Sequence, residues 1–193
     1  MERAMFTIGG SVWINLANTF IMRNKRRIDT LEEPRNVLRW LVDNELLTRE
    51  SGLDQIPDSF YRELVSLREL CADALADLLR EGRLSEQTYA VLANEASILN
   101  VKVRIDRHQG QPVLIYEGRS LADRLRYAIL DSLADLLNKY PPERIRKCEH
   151  EECIIHFVDT SKSGRRRWCS MDLCGNRQKA AEFYAKKKER TLK

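Results

Sequence analysis

CEHEECIIHFVDTSKSGRRRWCSMDLC, residues 148–174, holds four of the chain's five cysteines as two pairs, Cys148/Cys153 and Cys169/Cys174, with fifteen residues between the pairs. Two close pairs on a short segment can each supply one edge of a tetrahedron around zinc, with Zn–S distances near ~2.3 Å. A segment this short has almost no core of its own. Below about 40 residues a fold usually needs a metal or disulfides, and apparent zinc affinities of roughly 10 to 16 kcal/mol can supply what burial cannot. Two disulfides would demand an oxidising compartment, for which the N-terminus gives no support. Zinc held by Cys148, Cys153, Cys169 and Cys174 is therefore expected as a folding requirement. Four thiolates close the coordination sphere, which leaves no position for an activated water and makes the metal structural. His150 and His156 are alternative ligands, but read better as hydrogen-bond donors or surface residues. Cys71, far away on the apolar face of a helix, reads as a small core residue.

Outward from this segment, charge divides the chain. Its net charge of +4 splits into fourteen Lys and Arg against eight Asp and Glu from Glu143 to Lys193, and nineteen against twenty-one before that. Only the C-terminal part is basic, which points to a local surface for polyanions. Residues 1–140 read as mostly helical. Phe60, Leu64, Leu67, Cys71, Leu75 and Leu78 recur at spacings of three and four from Ser59 to Arg80, with Gly82 as a stop. A second stripe, Leu121, Leu125, Ala128, Ile129, Leu133 and Leu136, opens at Ser120 and ends at Tyr140-Pro141-Pro142, the expected domain boundary. Shorter helices are expected over 34–47 and 85–100, and a β-hairpin between Val101 and Glu117. The fold class expected is mainly α with a short hairpin, followed by a small treble-clef-like finger. Within the finger, Ile154–Asp159 and Arg166–Cys169 are expected to pair as strands. A helix is expected from Cys174-Gly175 to about Arg190, with Trp168, Phe157 and Phe183 as the small core. No run of about 18 apolar residues crosses a bilayer. The N-terminal residues lack a signal-peptide cleavage site, so a cytoplasmic protein is expected.

Residues 148–190 resemble the CGNR-type zinc finger, named for the tetrapeptide present as Cys174-Gly175-Asn176-Arg177. The likeness extends to Phe157, Asp159, Ser161-Lys162, Arg165-Arg166-Arg167-Trp168-Cys169-Ser170-Met171, Lys179 and the 184–190 end. It implies a zinc-bound finger over 143–193 at the C-terminus of bacterial proteins regarded as transcription regulators, and it adds DNA as the partner. In that family the preceding region is the ABATE domain, suspected of sensing a small stress-related ligand. Asn15-Leu16-Ala17-Asn18-Thr19 is similar to its Asn-Thr motif, and Trp40-Leu41 through Leu46-Leu47 to its Trp-Leu element. Asn44-Glu45 stands where a glycine-containing turn is expected. The resemblance places a ligand site at Asn18 and Trp40.

Lys162, Arg165, Arg166 and Arg167 crowd a turn containing Ser163-Gly164, where long side chains can reach phosphates. Arg177 and Lys179 leave the start of the last helix, whose free amides also favour anions. Asn176 can cap that helix or read adenine. Lys186-Lys187-Lys188 either contacts phosphate or remains solvated. Part of this charge could simply favour thiolates at the metal. The leading expectation is a regulator whose finger binds DNA and whose helical domain senses a ligand, forms a homodimer to match two half-sites, or both. The alternative is a protein-interaction finger docking on an acidic partner, and RNA is a minor third option. No catalytic triad, paired-carboxylate site or phosphate-cradling loop survives inspection, so no enzyme is expected.

Overall fold

The apolar stripes fold as their spacing requires in the computed structural model, which describes residues 5–191. The longest helices are α3 (Phe60–Glu81) and α5 (Leu121–Lys139). Gly82, at φ 68°, ends α3 by donating to the Leu78 carbonyl in the left-handed conformation that glycine adopts without strain. Ser120 and Asp123 close a capping box at the start of α5. The short α1 (Val12–Ala17) lies against both helices and inserts Trp13, Ile14 and Leu16, all fully buried. Around this centre pack α2 (Pro34–Asp43), with proline in its first turn, and α4 (Glu86–Ser97), capped by Ser85. At the turn after α2, Glu45 adopts φ 62°, so the backbone takes a left-handed position without the glycine that usually fills one.

Among the described residues three two-stranded antiparallel sheets decorate the helices. The expected hairpin is β3 (Val101–His108) with β4 (Gln111–Gly118), turning at Gln109-Gly110 with φ of 49° and 83°. Val103, Ile105, Leu114 and Tyr116 share its exposed face. A second hairpin, β1 (Phe20–Arg23) with β2 (Arg26–Asp29), was not expected from the sequence. Its turn residues Asn24 and Lys25 both have positive φ.

The third pair corrects the expected strand pairing in the finger. β6 (His156–Val158) pairs with β5 (Ile145–Lys147), in the register Ile145↔Val158 and Lys147↔His156, so the two strands flank the first cysteine pair. Arg166–Cys169 forms no strand. Its Arg166 amide instead donates to the buried Asp159 carboxylate at 2.8 Å, and its Arg167 carbonyl accepts from the Glu149 amide at 3.0 Å. The last helix, α6 (Asn176–Thr191), begins two residues later than expected, after a π-helical turn at Met171–Gly175 capped by the Ser170 hydroxyl.

The double proline separates two secondary-structure systems, and each contributes side chains to the core of the other. Ile145 and Val158 from the finger belong to the helical core, while Ile8 and Ile21 from the N-terminal part pack on the finger's core of Ile155, Phe157 and the cysteines. Trp168 is partly buried there, as expected; Phe183 is 64% exposed and stacks edge-on against Tyr184, so it is not a core residue. Among the described residues no helix is long and apolar enough to cross a membrane.

Candidate metal centre and the surface around it

Cys148 follows β5 directly, Cys153 precedes β6, Cys169 closes the basic loop, and Cys174 sits in the π turn before α6. These elements bring the four Sγ atoms within 4.8 Å of one another. Cys153 and Cys169 are 3.9 Å apart and Cys169 and Cys174 3.6 Å. A tetrahedral zinc with ~2.3 Å bonds requires S–S edges of about 3.8 Å, so the cluster fits the metal, and disulfide bonding at about 2 Å does not describe it. The Cys169 amide also donates to Cys148 Sγ at 3.4 Å, as suits a thiolate.

The electrostatics point the same way. A sulfur hydrogen bond from Cys169 holds the Cys153 thiol down to about 5, which pushes Cys169 well up, while burial raises Cys174 to about 12. The cluster accepts one negative charge readily and resists more, and a dication removes that conflict. Zinc, when bound, supplies that charge and cross-links knuckle, loop and helix. His150 and His156 lie outside the ligand cluster. His150 Nδ1 accepts the Glu152 amide at 3.2 Å inside the knuckle, and burial lowers His156 to about 4.

The basic residues around the metal separate into two groups. Arg166 is braced: Nε donates to the Trp168 carbonyl at 2.9 Å, an NH2 group donates to the Cys169 carbonyl, and the guanidinium lies 4.4 Å from the Phe157 ring. Arg167 pairs with Glu149 at 2.5 Å over the Trp168 ring, and Arg177 with Glu152 at 3.1 Å. Lys162, Arg165 and Lys179 are exposed, and their side chains have no hydrogen bond or ion pair within the described residues. Asn176, exposed at the first position of α6, leaves capping to Ser170 and keeps its amide free. Of the lysine run only Lys187 has a described side chain, which is exposed and has an interaction within the chain.

Two arginines that sequence reading missed shape the loop from below. Arg144 donates to the carbonyls of Asp159 and Ser161 at 3.1 and 2.8 Å, and Arg146 to that of Gly164 at 3.3 Å. Asp159 is fully buried at their centre. Burial alone would raise its pKa, but hydrogen bonds from Ser161 and the Arg166 amide, with the Arg144 charge, hold it below the usual carboxylate range. Only the pairing partners would have revealed this cluster, and a linear sequence does not show them.

Asn18 and Trp40 lie inside. Asn18 spans the junction, donating to the His156 carbonyl at 2.7 Å and accepting from the His156 amide at 2.9 Å. Trp40 is fully buried and donates to the Asn15 carbonyl at 3.3 Å. The Asn15 side chain in turn links the Gly9 amide to Asn44, whose amide caps α2. Both predicted ligand residues thus have protein partners.

Two family comparisons agree with this arrangement. The CGNR zinc finger matches residues 144–187, and the family described as "Putative stress-induced transcription regulator" (ABATE) matches residues 10–139. No curated protein matches the chain. With well over half of its length covered by the second match, and the finger's four ligands in place, the chain belongs to the ABATE family and carries a CGNR zinc finger.

Proposed function

We propose that this protein is a transcription regulator whose finger binds duplex DNA chiefly through phosphates. The observation that carries the reading is the set of exposed cations without partners, Lys162, Arg165 and Lys179. They stand on a stretch, Lys162 to Lys193, with eleven basic and three acidic residues. A field of one sign on so small a module reaches solvent, and polyanions complement it. Arg167 and Arg177 join the contact set by exchanging Glu149 and Glu152 for phosphate. Arg166 stays outside it, since its guanidinium already holds two carbonyls. Asn176 is the candidate base reader, with its amide free for adenine.

Three to five phosphate contacts by the finger alone contribute roughly −3 to −4.5 to the slope of log affinity against log salt. The triple variant K162A/R165A/K179A, shown to retain zinc, should lower that slope by about 3. Unchanged affinity and slope would make the finger a docking module for an acidic protein.

The sensing role has its own support in the helical domain. A cleft of about 450 Å³, lined by Leu31, Val37, Leu53, Ile56, Pro57 and Tyr61 with Glu32 and Asp58, has the size and apolar lining of small-molecule sites. Asn18, tied to the finger, is a positioning residue in this reading.

A further inference from the structure

We propose that the β1–β2 turn is a second phosphate-binding element, one that extends the finger's DNA surface onto the N-terminal domain. The inference rests on the DNA reading above. Arg23-Asn24-Lys25-Arg26-Arg27 places four cations in five residues with no acid among them, inside a region whose total charge is slightly negative. All five are exposed, and the side chains of Arg23, Lys25 and Arg26 have no hydrogen bond or ion pair within the described residues. Arg27 alone is engaged, 3.8 Å from the Phe20 ring. Surface charges are ordinarily interspersed with opposite ones, because clustered like charges repel. A concentration of unpaired cations at one tight turn is therefore a binding feature.

The turn is also held rigidly. Asn24 and Lys25 take φ of 51° and 60°, the geometry of a two-residue hairpin turn. At the base of the hairpin the buried Arg68 grips Asp29 through two hydrogen bonds of 2.7 and 2.8 Å. The cations are thus presented on a fixed backbone, so the chain itself need not be ordered when they bind.

Position selects the partner. Arg23 and Lys25 line one cleft of about 510 Å³ together with Arg177 and Glu152 of the finger. Cations from both halves of the chain face the same space, and the halves are joined through Asn18 and His156. A fixed spacing of charges matches a stiff polyanion of regular repeat, which duplex DNA is and a flexible acidic peptide is not. Glu152 is the opposing charge in the cleft, and its pairing with Arg177 makes it a competitor of phosphate.

The test uses full-length, zinc-loaded protein and a labelled duplex of arbitrary sequence, with affinity measured across a salt series. R23A/K25A/R26A should lower the salt slope by about 2 to 3 and weaken binding at low salt by about tenfold or more. R23K/K25R/R26K should keep the slope, and Glu152→Gln should tighten binding. If the alanine triple is less stable or loses zinc, Lys25→Glu at the turn tip replaces it, with a loss of affinity again expected. A wild-type slope in these hairpin variants, while K162A/R165A/K179A lowers it, overturns this proposal and leaves the finger reading intact. Absence of salt-dependent binding by the wild-type protein overturns both. A hairpin variant that keeps DNA affinity but loses binding to an acidic polypeptide assigns the turn to a protein partner and overturns the proposal as well.

Discussion

Arg165 and Arg166 are neighbours in sequence with different surroundings: one guanidinium is free in solvent, and the other is fixed to two backbone carbonyls and an aromatic ring. Arg166→Ala leaves the Trp168 and Cys169 carbonyls without that donor and uncovers Phe157, which is fully buried. Charged hydrogen bonds of this kind contribute about 1.5 to 3 kcal/mol each, so the loss should loosen the loop that carries Cys169. The expected outcome is zinc transfer to a colorimetric chelator that is faster by about tenfold or more, since 1.4 kcal/mol is one decade. Arg165→Ala should leave that rate unchanged and lower only the DNA salt slope, by about 0.9. Equal transfer rates for the two variants would show that Arg166 does not support the metal loop. The sequence displays three consecutive arginines that look equivalent. What separates them is the carboxylate or carbonyl across from each, Glu149 for Arg167 and the 168–169 backbone for Arg166, and that information is not local. The cysteines were legible for the opposite reason, because metal-ligand chemistry dictates both residue type and spacing.

Among the elements, legibility followed length. The stripes of α3 and α5 repeat over 22 and 19 residues, enough periods to identify a helix and its buried face from sequence alone. The strands of the β1–β2 and β5–β6 pairs are three or four residues long, too short to show alternation, and β1–β2 is further obscured by its charges. The β3–β4 hairpin has eight-residue strands and was legible, yet its docking onto α5 depends on one residue that the pattern did not single out. Gly118 ends β4 against the first turn of α5, where a Cβ would lie 2.2 Å from the Arg124 amide nitrogen and 2.4 Å from the Asp123 carbonyl carbon. The Asp123–Arg124 backbone cannot yield as a flexible side chain would, so Gly118→Ala must shift the hairpin or disturb the Ser120–Asp123 capping box. A destabilisation of about 2 kcal/mol or more is expected, made up of overpacking and a lost cap. Denaturant melts would show it, with Gly110→Ala at the opposite end as the comparison. There nothing lies within 4 Å and only the φ of 83° is unfavourable. If Gly118→Ala is no worse than Gly110→Ala, the close approach to α5 is not what fixes this glycine.

In the whole molecule the finger and the helical part share packing contacts across the double proline, where the sequence places a domain boundary. The finger's own core is Ile155, Phe157 and the ligands themselves, so removing the metal removes most of what holds it. Ile145 and Val158 would then leave the helical core, the Val158 amide would lose the Gly9 carbonyl, and Asn18 would lose both bonds to His156. Withdrawing two aliphatic side chains costs about 1.5 to 3 kcal/mol each. The freed polar groups can be rehydrated, so they add little. A loss of roughly 3 to 6 kcal/mol is a large part of the 5 to 15 that stabilises a typical domain. At about 2 to 4 °C per kcal/mol for a chain of this size, chelation should lower unfolding of the helical part by roughly 10–20 °C. Calorimetry with and without chelator measures the shift. Near-ultraviolet circular dichroism of Trp13 and Trp40, both fully buried in the helical part, shows whether that part melts with the finger. An upper transition that chelation leaves in place would mean that the contacts through Asn18, Ile145 and Val158 carry no stability between the halves, and that the double proline separates them energetically as well as along the chain.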